Sequence, residues 1–237
     1  MAAPVVRFPI FAVVRILGVA LAALVLIWTF HFRGGMALVS DDRNQIFNVH
    51  PVVLLIGLVV LNGEAMLAYK TLPGTKGFKK LIHLSLQFLV FLLGVIGVVV
   101  VWKNRIERGK ENFYSLHSLL GLLSLFLFGI QWTLGFLTFY YPGGSRNGRA
   151  SLLPWHGFMG HYIYGLSVIT CMTGFLARAT SLQTHGTISR YSAEAILINS
   201  MGVLTVVLAG FVILGVQSPV YRNGDKLNNT GKPVFDL

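Results

Sequence analysis

The amino-acid sequence predicts an all-α integral membrane protein, a bundle of six transmembrane helices. Hydrophobic residues make up 54% of the 237 residues and charged residues only 11%, against about 25% charged residues in an average soluble domain. The apolar residues are concentrated in six long stretches that short polar segments separate. Helices are the predicted elements, because the stretches are too long for transmembrane β-strands and do not alternate polar with apolar residues.

Each stretch is long enough to cross the hydrocarbon layer, which takes about 20 helical residues. The predicted spans are approximately residues 10–30, 46–69, 81–102, 113–140, 154–177 and 194–216. The first is interpreted as a span, because its apolar run from Ile10 to Phe30 exceeds the length of a signal-peptide core and no clean cleavage site follows it. The connections leave no room for a second folded unit, so residues 1–237 are predicted to form a single domain.

An even number of spans puts both termini on one side of the membrane, called here the terminal side. Ten Lys and Arg residues fall on the terminal side and eight on the opposite side, which predicts cytoplasmic termini. Four of the ten lie near the chain ends: Arg7, Arg222, Lys226 and Lys232. The formal net charge of +11 predicts anionic lipid headgroups and anionic small substrates as partners, and no nucleic acid, because the basic residues lie between apolar runs.

Four histidines lie a few residues inside the predicted spans, where ionisable side chains are costly and often functional. His50 and His117 begin spans on the opposite side, whereas His83 and His156 begin spans on the terminal side. Alternating span direction therefore sorts them into two pairs, each at one depth. Two facing imidazoles suit a six-coordinate haem b that transfers electrons. The two iron levels are predicted to lie roughly 20 Å apart.

Other uses of these histidines stay open at this level. They include interfacial hydrogen bonds, a di-metal site, proton relays in a non-redox transporter, and haem ligation in a membrane anchor for a separate reductase subunit. Glycines four or seven residues after a paired histidine predict uncrowded helix faces for a porphyrin: Gly57, Gly121 and Gly160. Of the other histidines, His31 is interpreted as an interfacial residue, His161 as a packing or supporting group, and His185 as a loop residue.

Basic segments flank both histidine pairs and predict anion sites beside them, with ordinary headgroup contact as the alternative. On the terminal side they contain Lys76, Lys79, Lys80, Arg146 and Arg149. On the opposite side they contain Lys103, Arg105, Arg108 and Lys110, close to Tyr114. Arg15, inside the first span, is expected to snorkel or to pair with a polar group such as Glu64.

Four segments carry a resemblance to a known family over most of the chain, from about Phe8 to Val216. They are FNVHPV around His50, NGEAMLAYK from Asn62, ENFYSLHS around His117, and YYPGGSRNGRASLLPWH up to His156. With these segments the chain resembles the cytochrome b561 family of transmembrane ascorbate-dependent oxidoreductases, and most closely its plant members. The resemblance implies a homodimer in which spans two to five hold two haems b, ligated in the pairs given above.

The resemblance also implies a direction of electron flow and the residues of two substrate sites. Cytoplasmic ascorbate gives an electron to the centre at His83 and His156, which passes it to the other centre and on to monodehydroascorbate or a ferric chelate. Cytoplasmic ascorbate is expected to bind Lys76, Lys80, Asn147 and Arg149. On the far side, catalytic roles are expected for Tyr114 and Arg105. Arg105 stands where plant relatives often have a histidine. On the cytoplasmic side, the catalytic candidate is Lys80. Plant relatives suggest the vacuolar membrane.

Overall fold

The computed structural model describes residues 8–218 and is entirely helical over that range apart from its connections. Within these residues, six helices are long and apolar enough to cross a membrane, which confirms the predicted fold. They are α1 (Ile10–Phe32), α2 (Arg43–Thr71), α3 (Lys76–Glu107), α4 (Leu116–Phe139), α5 (Arg146–Thr184) and α6 (Ala193–Gln217). Two stretches are wound as π-helix, Trp28–Phe32 at the end of α1 and Leu55–Leu61 in the middle of α2.

A capping side chain marks the start of each helix from α2 to α6. Its oxygen accepts a hydrogen bond from a backbone N–H of the first turn, one of the donors that has no partner inside the helix. The capping residues are Asp42, Thr75, Ser115, Ser145 and Ser192. These short polar residues occur in every connection and explain why the helices begin where they do.

The helices extend beyond several predicted spans, because a capped helix continues through polar residues at the membrane surface. α5 begins at Arg146 and ends at Thr184, so Asn147, Arg149 and Arg178, which lie outside the predicted span 154–177, are helical. α4 instead starts later than predicted, after Phe113, whose backbone is in the left-handed region with φ 56°. The basic residues Arg7, Arg222, Lys226 and Lys232 of the orientation prediction lie outside the described residues.

Two apolar clusters hold the bundle together. The larger joins α1, α2, α5 and α6 through fully buried side chains that include Leu21, Val59, Tyr164, Ile198 and Leu208. The smaller lies where α2, α3, α4 and α5 meet, and its buried members are Leu54, Leu58, Val90, Phe128 and Ile163. Helices α2 to α5 therefore enclose an apolar layer of their own, and α1 and α6 pack against α2 and α5 through the larger cluster.

Ion pairs tie α1 to its neighbours at two depths. The Arg15 Nε atom lies 3.7 Å from Glu64 Oε2 of α2, so of the two roles expected of Arg15 the structure shows the pairing. At the opposite side, the Arg33 guanidinium forms a bidentate (two-pronged) ion pair with the Glu194 carboxylate of α6, in which each oxygen accepts one N–H. Both side chains of this second pair are largely buried, with 12% and 7% of their surface exposed.

Candidate functional site

The helices bring the four predicted histidines together in two pairs. The ring centroids of His50 (α2) and His117 (α4) lie 6.0 Å apart. Those of His83 (α3) and His156 (α5) lie 6.3 Å apart. Each pair thus joins two helices that are not consecutive in the chain, as the alternation of span direction requires.

Backbone carbonyls fix the orientation of three of these imidazoles. The Nδ1 atom of each lies within 2.8–2.9 Å of a carbonyl oxygen on a neighbouring helix, in the combinations His50 with Gly97, His83 with Ala65, and His117 with Thr170. A carbonyl oxygen only accepts, so Nδ1 carries the proton and donates it. The Nε2 atom is then unprotonated and free to bind a metal, which is how ligating histidines are commonly held.

Glycines on the facing helix give two of the rings their space. A Cβ atom at Gly174 of α5 would lie 2.9 Å from Cε1 of His117, and a Cβ atom at Gly135 of α4 would lie 3.0 Å from Cε1 of His156. Real Cβ atoms do not approach so closely, so only glycine fits at Gly174. His156, the fourth ring, also packs edge-on against Phe139, with 5.3 Å between ring centroids.

Of the three glycines predicted to leave room for a porphyrin, Gly121 lines the cavity beside the His50 and His117 rings, and none has a paired ring as the nearest neighbour of an added Cβ atom. A Cβ atom would meet Leu93 at Gly57, Thr170 at Gly121, and Gln131 at Gly160. Spacing along one helix identified glycines on the histidine's own helix, whereas the ring meets the helix opposite. The sequence also gave no sign of Tyr69, whose ring centroid lies 5.7 Å from that of His83.

The distance in depth between the two histidine pairs follows from the carbonyls that bind the imidazoles. Gly97 lies at the depth of His50 but on α3, fourteen residues after His83. Thr170 lies at the depth of His117 but on α5, fourteen residues after His156. At about 1.5 Å per helical residue, both helices give roughly 20 Å between the levels. The apolar cluster around Val90 and Phe128 fills the space between them.

A cavity of about 490 Å³ adjoins the His50 and His117 rings. Its inner wall is mostly apolar, with the hydroxyl groups of Ser124 and Ser167 among its few polar atoms. Toward the opposite side of the membrane it is lined by polar and basic residues that include Asn44, Arg105, Arg108, Tyr114 and Arg178. Its volume is in the range of pockets that hold small molecules and cofactors.

The residues present fit a porphyrin held by two imidazoles. A metal bound at about 2 Å by two opposed ring nitrogens puts the ring centroids about 6 Å apart, and the observed separations are 6.0 and 6.3 Å. The unprotonated Nε2 atoms and the largely apolar cavity agree with the same group. Among residues 8–218, no cluster of three or more His, Cys, Asp or Glu side chains is arranged for a metal ion.

On the terminal side, Lys80 is linked to a histidine pair through Phe139. Its Nζ atom donates to the carbonyl of Phe139 at 2.9 Å, and the Phe139 ring contacts His156. Arg149 is exposed and donates to the carbonyl of Gly144 at 2.9 Å. Lys76 and Asn147 are exposed on the first turns of α3 and α5, and the structure does not bring them into contact with Lys80.

On the opposite side, the two predicted far-side residues meet. The guanidinium carbon of Arg105 lies 5.8 Å from the ring centroid of Tyr114, and both residues line the cavity. Arg105 Nε also donates to the carbonyl of Glu111 at 2.9 Å. Of the unpaired histidines, His161 and His185 each bond through Nδ1 to a carbonyl of their own helix, at 2.7 Å.

Six membrane-crossing helices define the class to which this protein belongs, the multi-pass integral membrane proteins. The model of the family described as eukaryotic cytochrome b561 matches residues 49–182, which include all four paired histidines. The chain belongs to the cytochrome b561 family, whose members carry haem b.

Named relatives match nearly the whole chain. Transmembrane ascorbate ferrireductase 2 of Arabidopsis thaliana is 60% identical over 93% of this chain and 96% of its own length. Ascorbate-specific transmembrane electron transporter 1 of Zea mays is 42% identical over 86% of each chain. A lysosomal membrane ascorbate-dependent ferrireductase of Danio rerio is 38% identical over 86% of this chain and 84% of its own.

Proposed function

We propose that this chain is an ascorbate-dependent transmembrane oxidoreductase with two haems b. It takes single electrons from ascorbate on the terminal side and delivers them to monodehydroascorbate or a ferric chelate on the opposite side. The observation that carries the proposal is the presence of two imidazole pairs, with ring separations of 6.0 and 6.3 Å, roughly 20 Å apart in depth. The names of the relatives, ascorbate ferrireductases and an ascorbate-specific electron transporter, support the same reaction.

Each pair would supply both axial ligands of one haem: His83 with His156 near the terminal side, and His50 with His117 near the other. A haem b with both axial positions filled supplies reversible one-electron chemistry without an open site for oxygen. The protein holds three of the four imidazoles by backbone hydrogen bonds, which survive in the apolar interior because water does not compete for them. The apolar layer between the levels keeps water and ions from crossing with the electron.

The basic residues at the terminal-side ends of α3 and α5 suit the ascorbate monoanion. Lys80 is partly buried beside Phe139, which touches His156, so an anion bound to its ammonium group lies within reach of that centre. The monoanion loses one electron and one proton to give monodehydroascorbate, and Lys80 is the proposed group that binds the anion and helps to manage the proton. Lys76, Asn147 and Arg149, which are exposed at the same ends of α3 and α5, are the proposed further contacts of the ascorbate anion.

The cavity mouth on the opposite side is the proposed acceptor site. Arg105 and Tyr114 line it together, and the fixed charge of Arg105 attracts an anionic acceptor such as monodehydroascorbate or a ferric carboxylate chelate. An arginine cannot serve as a neutral proton acceptor. The proposed orientation has both termini in the cytoplasm, the proposed membrane is that of the vacuole, and the proposed assembly is a homodimer.

The test is the haem content and ascorbate reduction of the purified full chain. We expect two haems per chain, a low-spin spectrum, and reduction on addition of ascorbate. His83→Ala and His156→Ala should each remove one haem and block rapid reduction by ascorbate. His161→Ala is the matched control, because this histidine lies on the same helix as His156 and bonds within it. One haem or none in the unmutated chain, or full haem content in both variants, would contradict the proposal.

The Lys80 role has its own test. Lys80→Ala should slow ascorbate reduction roughly tenfold or more while haem content stays complete, since a charge-assisted hydrogen bond contributes about 1.5–3 kcal/mol. Lys103→Ala is the control, because Lys103 lies on the same helix at the opposite side of the membrane, where its Nζ atom lies 4.0 Å from Glu107 Oε1. Equal rates for the two variants, measured by stopped-flow absorbance, would exclude Lys80 from the ascorbate site.

A further inference from the structure

Arg178 of α5 is a basic residue that neither proposed substrate site uses. Its guanidinium carbon lies 4.9 Å from the ring centroid of Phe47 and 5.7 Å from that of Trp28. Its Nε atom is buried without a hydrogen-bond partner. Within residues 8–218, Arg178 makes no ion pair and no side-chain hydrogen bond, so two aromatic rings position a guanidinium whose donors remain free.

The acidic residue close to this group is already engaged. Glu194 is buried, accepts a hydrogen bond from Trp28 Nε1 at 2.9 Å and forms the two-pronged ion pair with Arg33. A carboxylate that already accepts hydrogen bonds from one guanidinium and one indole has little acceptor capacity left for a second guanidinium. The cluster of Arg33, Glu194 and Arg178 therefore carries a net positive charge, and that excess lies on Arg178.

Arg178 lines the cavity beside the His50 and His117 rings. It follows Gly174, the glycine in contact with His117, by four residues, so both share one face of α5 and Arg178 lies one turn nearer the membrane surface. Arg108 lines the same cavity, and its Nε atom is also buried without a partner, although its Nη2 atom donates to Asn44 Oδ1 at 3.2 Å.

We propose that Arg178 and Arg108 form a carboxylate-binding site in this cavity, one turn above the His50 and His117 level. A guanidinium left unpaired at such depth is unfavourable, and the fork of N–H donors on arginine matches a carboxylate in geometry and charge. The carboxylate has two possible sources. One is a carboxylate side group at the edge of the porphyrin, and this source rests on the proposed function. The other is a soluble carboxylate such as citrate, the chelating part of a ferric substrate.

The test measures the midpoint potential of the centre held by His50 and His117 in the purified holoprotein. Loss of a nearby positive charge favours the more positive, oxidised iron, so Arg178→Gln and Arg108→Gln should each shift this potential downward, measured on protein that retains both haems. Arg178→Lys keeps the charge and should stay closer to the unmutated protein. The control is Arg43→Gln, since Arg43 lies on the same side of the membrane but pairs with Glu107 outside the cavity.

Added citrate distinguishes the two sources. If the site binds a soluble carboxylate, citrate shifts the potential of the unmutated protein, and Arg178→Gln weakens this citrate dependence about tenfold or more. If the porphyrin carboxylate fills the site, citrate has no effect, yet Arg178→Gln still lowers the potential. Citrate dependence supports a soluble carboxylate, whereas a lower potential without it supports the porphyrin carboxylate only if Arg178→Gln also retains haem less well through washing than Arg43→Gln does. Unchanged potentials in both glutamine variants, with both haems present, would overturn the carboxylate site.

A haem-independent measurement separates failure of this proposal from failure of the proposed function. Should the purified chain lack haem at this centre, the function fails, and the carboxylate site is tested by thermal unfolding with and without citrate. Citrate should then raise the unfolding temperature of the unmutated chain and of Arg43→Gln but not of Arg178→Gln. Equal stabilisation of all three would overturn the site.

Discussion

Gly174 offers the sharpest test of how the bundle positions His117. A methyl group in Gly174→Ala would place Cβ 2.9 Å from Cε1 and 3.2 Å from Nδ1 of the imidazole. Ordinary carbon contacts begin near 3.5 Å, so the ring or the helix must move by about 0.5 Å or more. The ring cannot move freely, because its Nδ1–H donates to the carbonyl of Thr170 at 2.9 Å.

The size of the effect follows from these contacts. Overpacking of a well-packed site costs about 1–3 kcal/mol, and a metal ligand must be held within about 0.5 Å of its working position. We therefore expect roughly 5- to 150-fold weaker haem retention at the centre of His50 and His117. The centre of His83 and His156 should keep its haem, since it lies roughly 20 Å away along the helices.

The assay is the haem-to-protein ratio and visible spectrum of purified Gly174→Ala through successive washing steps. Gly165→Ala is the matched control, because it lies on the same helix and a Cβ atom there would meet nothing within 4 Å. Gly135→Ala is the reciprocal variant, since its Cβ atom would lie 3.0 Å from His156. If Gly174→Ala retained haem as well as Gly165→Ala, the account of His117 positioning would be refuted.

Two further predictions concern stability. Glu194→Gln leaves the buried Arg33 without its partner and should cost about 3–5 kcal/mol, whereas Glu107→Gln, at an exposed pair, should cost less than about 1 kcal/mol. Equal losses in the unfolding temperature of the detergent-solubilised protein would contradict this reasoning. Ser124 and Ser167 share a buried hydrogen bond of 2.9 Å between α4 and α5, so a double-mutant cycle to alanine should give a coupling of about 0.6 kcal/mol. A coupling of zero would mean that the bond does not stabilise the pair.

The fold could be predicted from the sequence because span length and polarity are local properties of the chain. The number of spans and their alternation followed from apolar stretches alone, and the depth of each histidine followed from its place in a span. Helix ends were harder to predict. Arg149 and Arg178 belong to polar segments, and only the capping of α5 by Ser145 and its continuation to Thr184 make them helical.

The contacts that orient the histidines could not be predicted in the same way. Which carbonyl meets a given imidazole depends on how two helices are rotated and shifted against each other, and no local pattern encodes that relation. Ala65 and Gly97 are unremarkable small residues in apolar stretches, yet their carbonyls bind His83 and His50. The glycines in contact with imidazoles were missed for the same reason, since spacing along one helix says nothing about the helix that faces it.

The π-helical segment Leu55–Leu61 explains how both of these hydrogen bonds form at once. Between its two contact points α2 advances by fifteen residues, from His50 to Ala65, whereas α3 advances by fourteen, from His83 to Gly97. Two regular antiparallel helices with unequal counts could satisfy one contact but would misplace the other by about 1.5 Å and 100°. A π-helical turn absorbs one extra residue inside a helix. The segment lies between the two histidine levels, where it brings α2 back into register with α3.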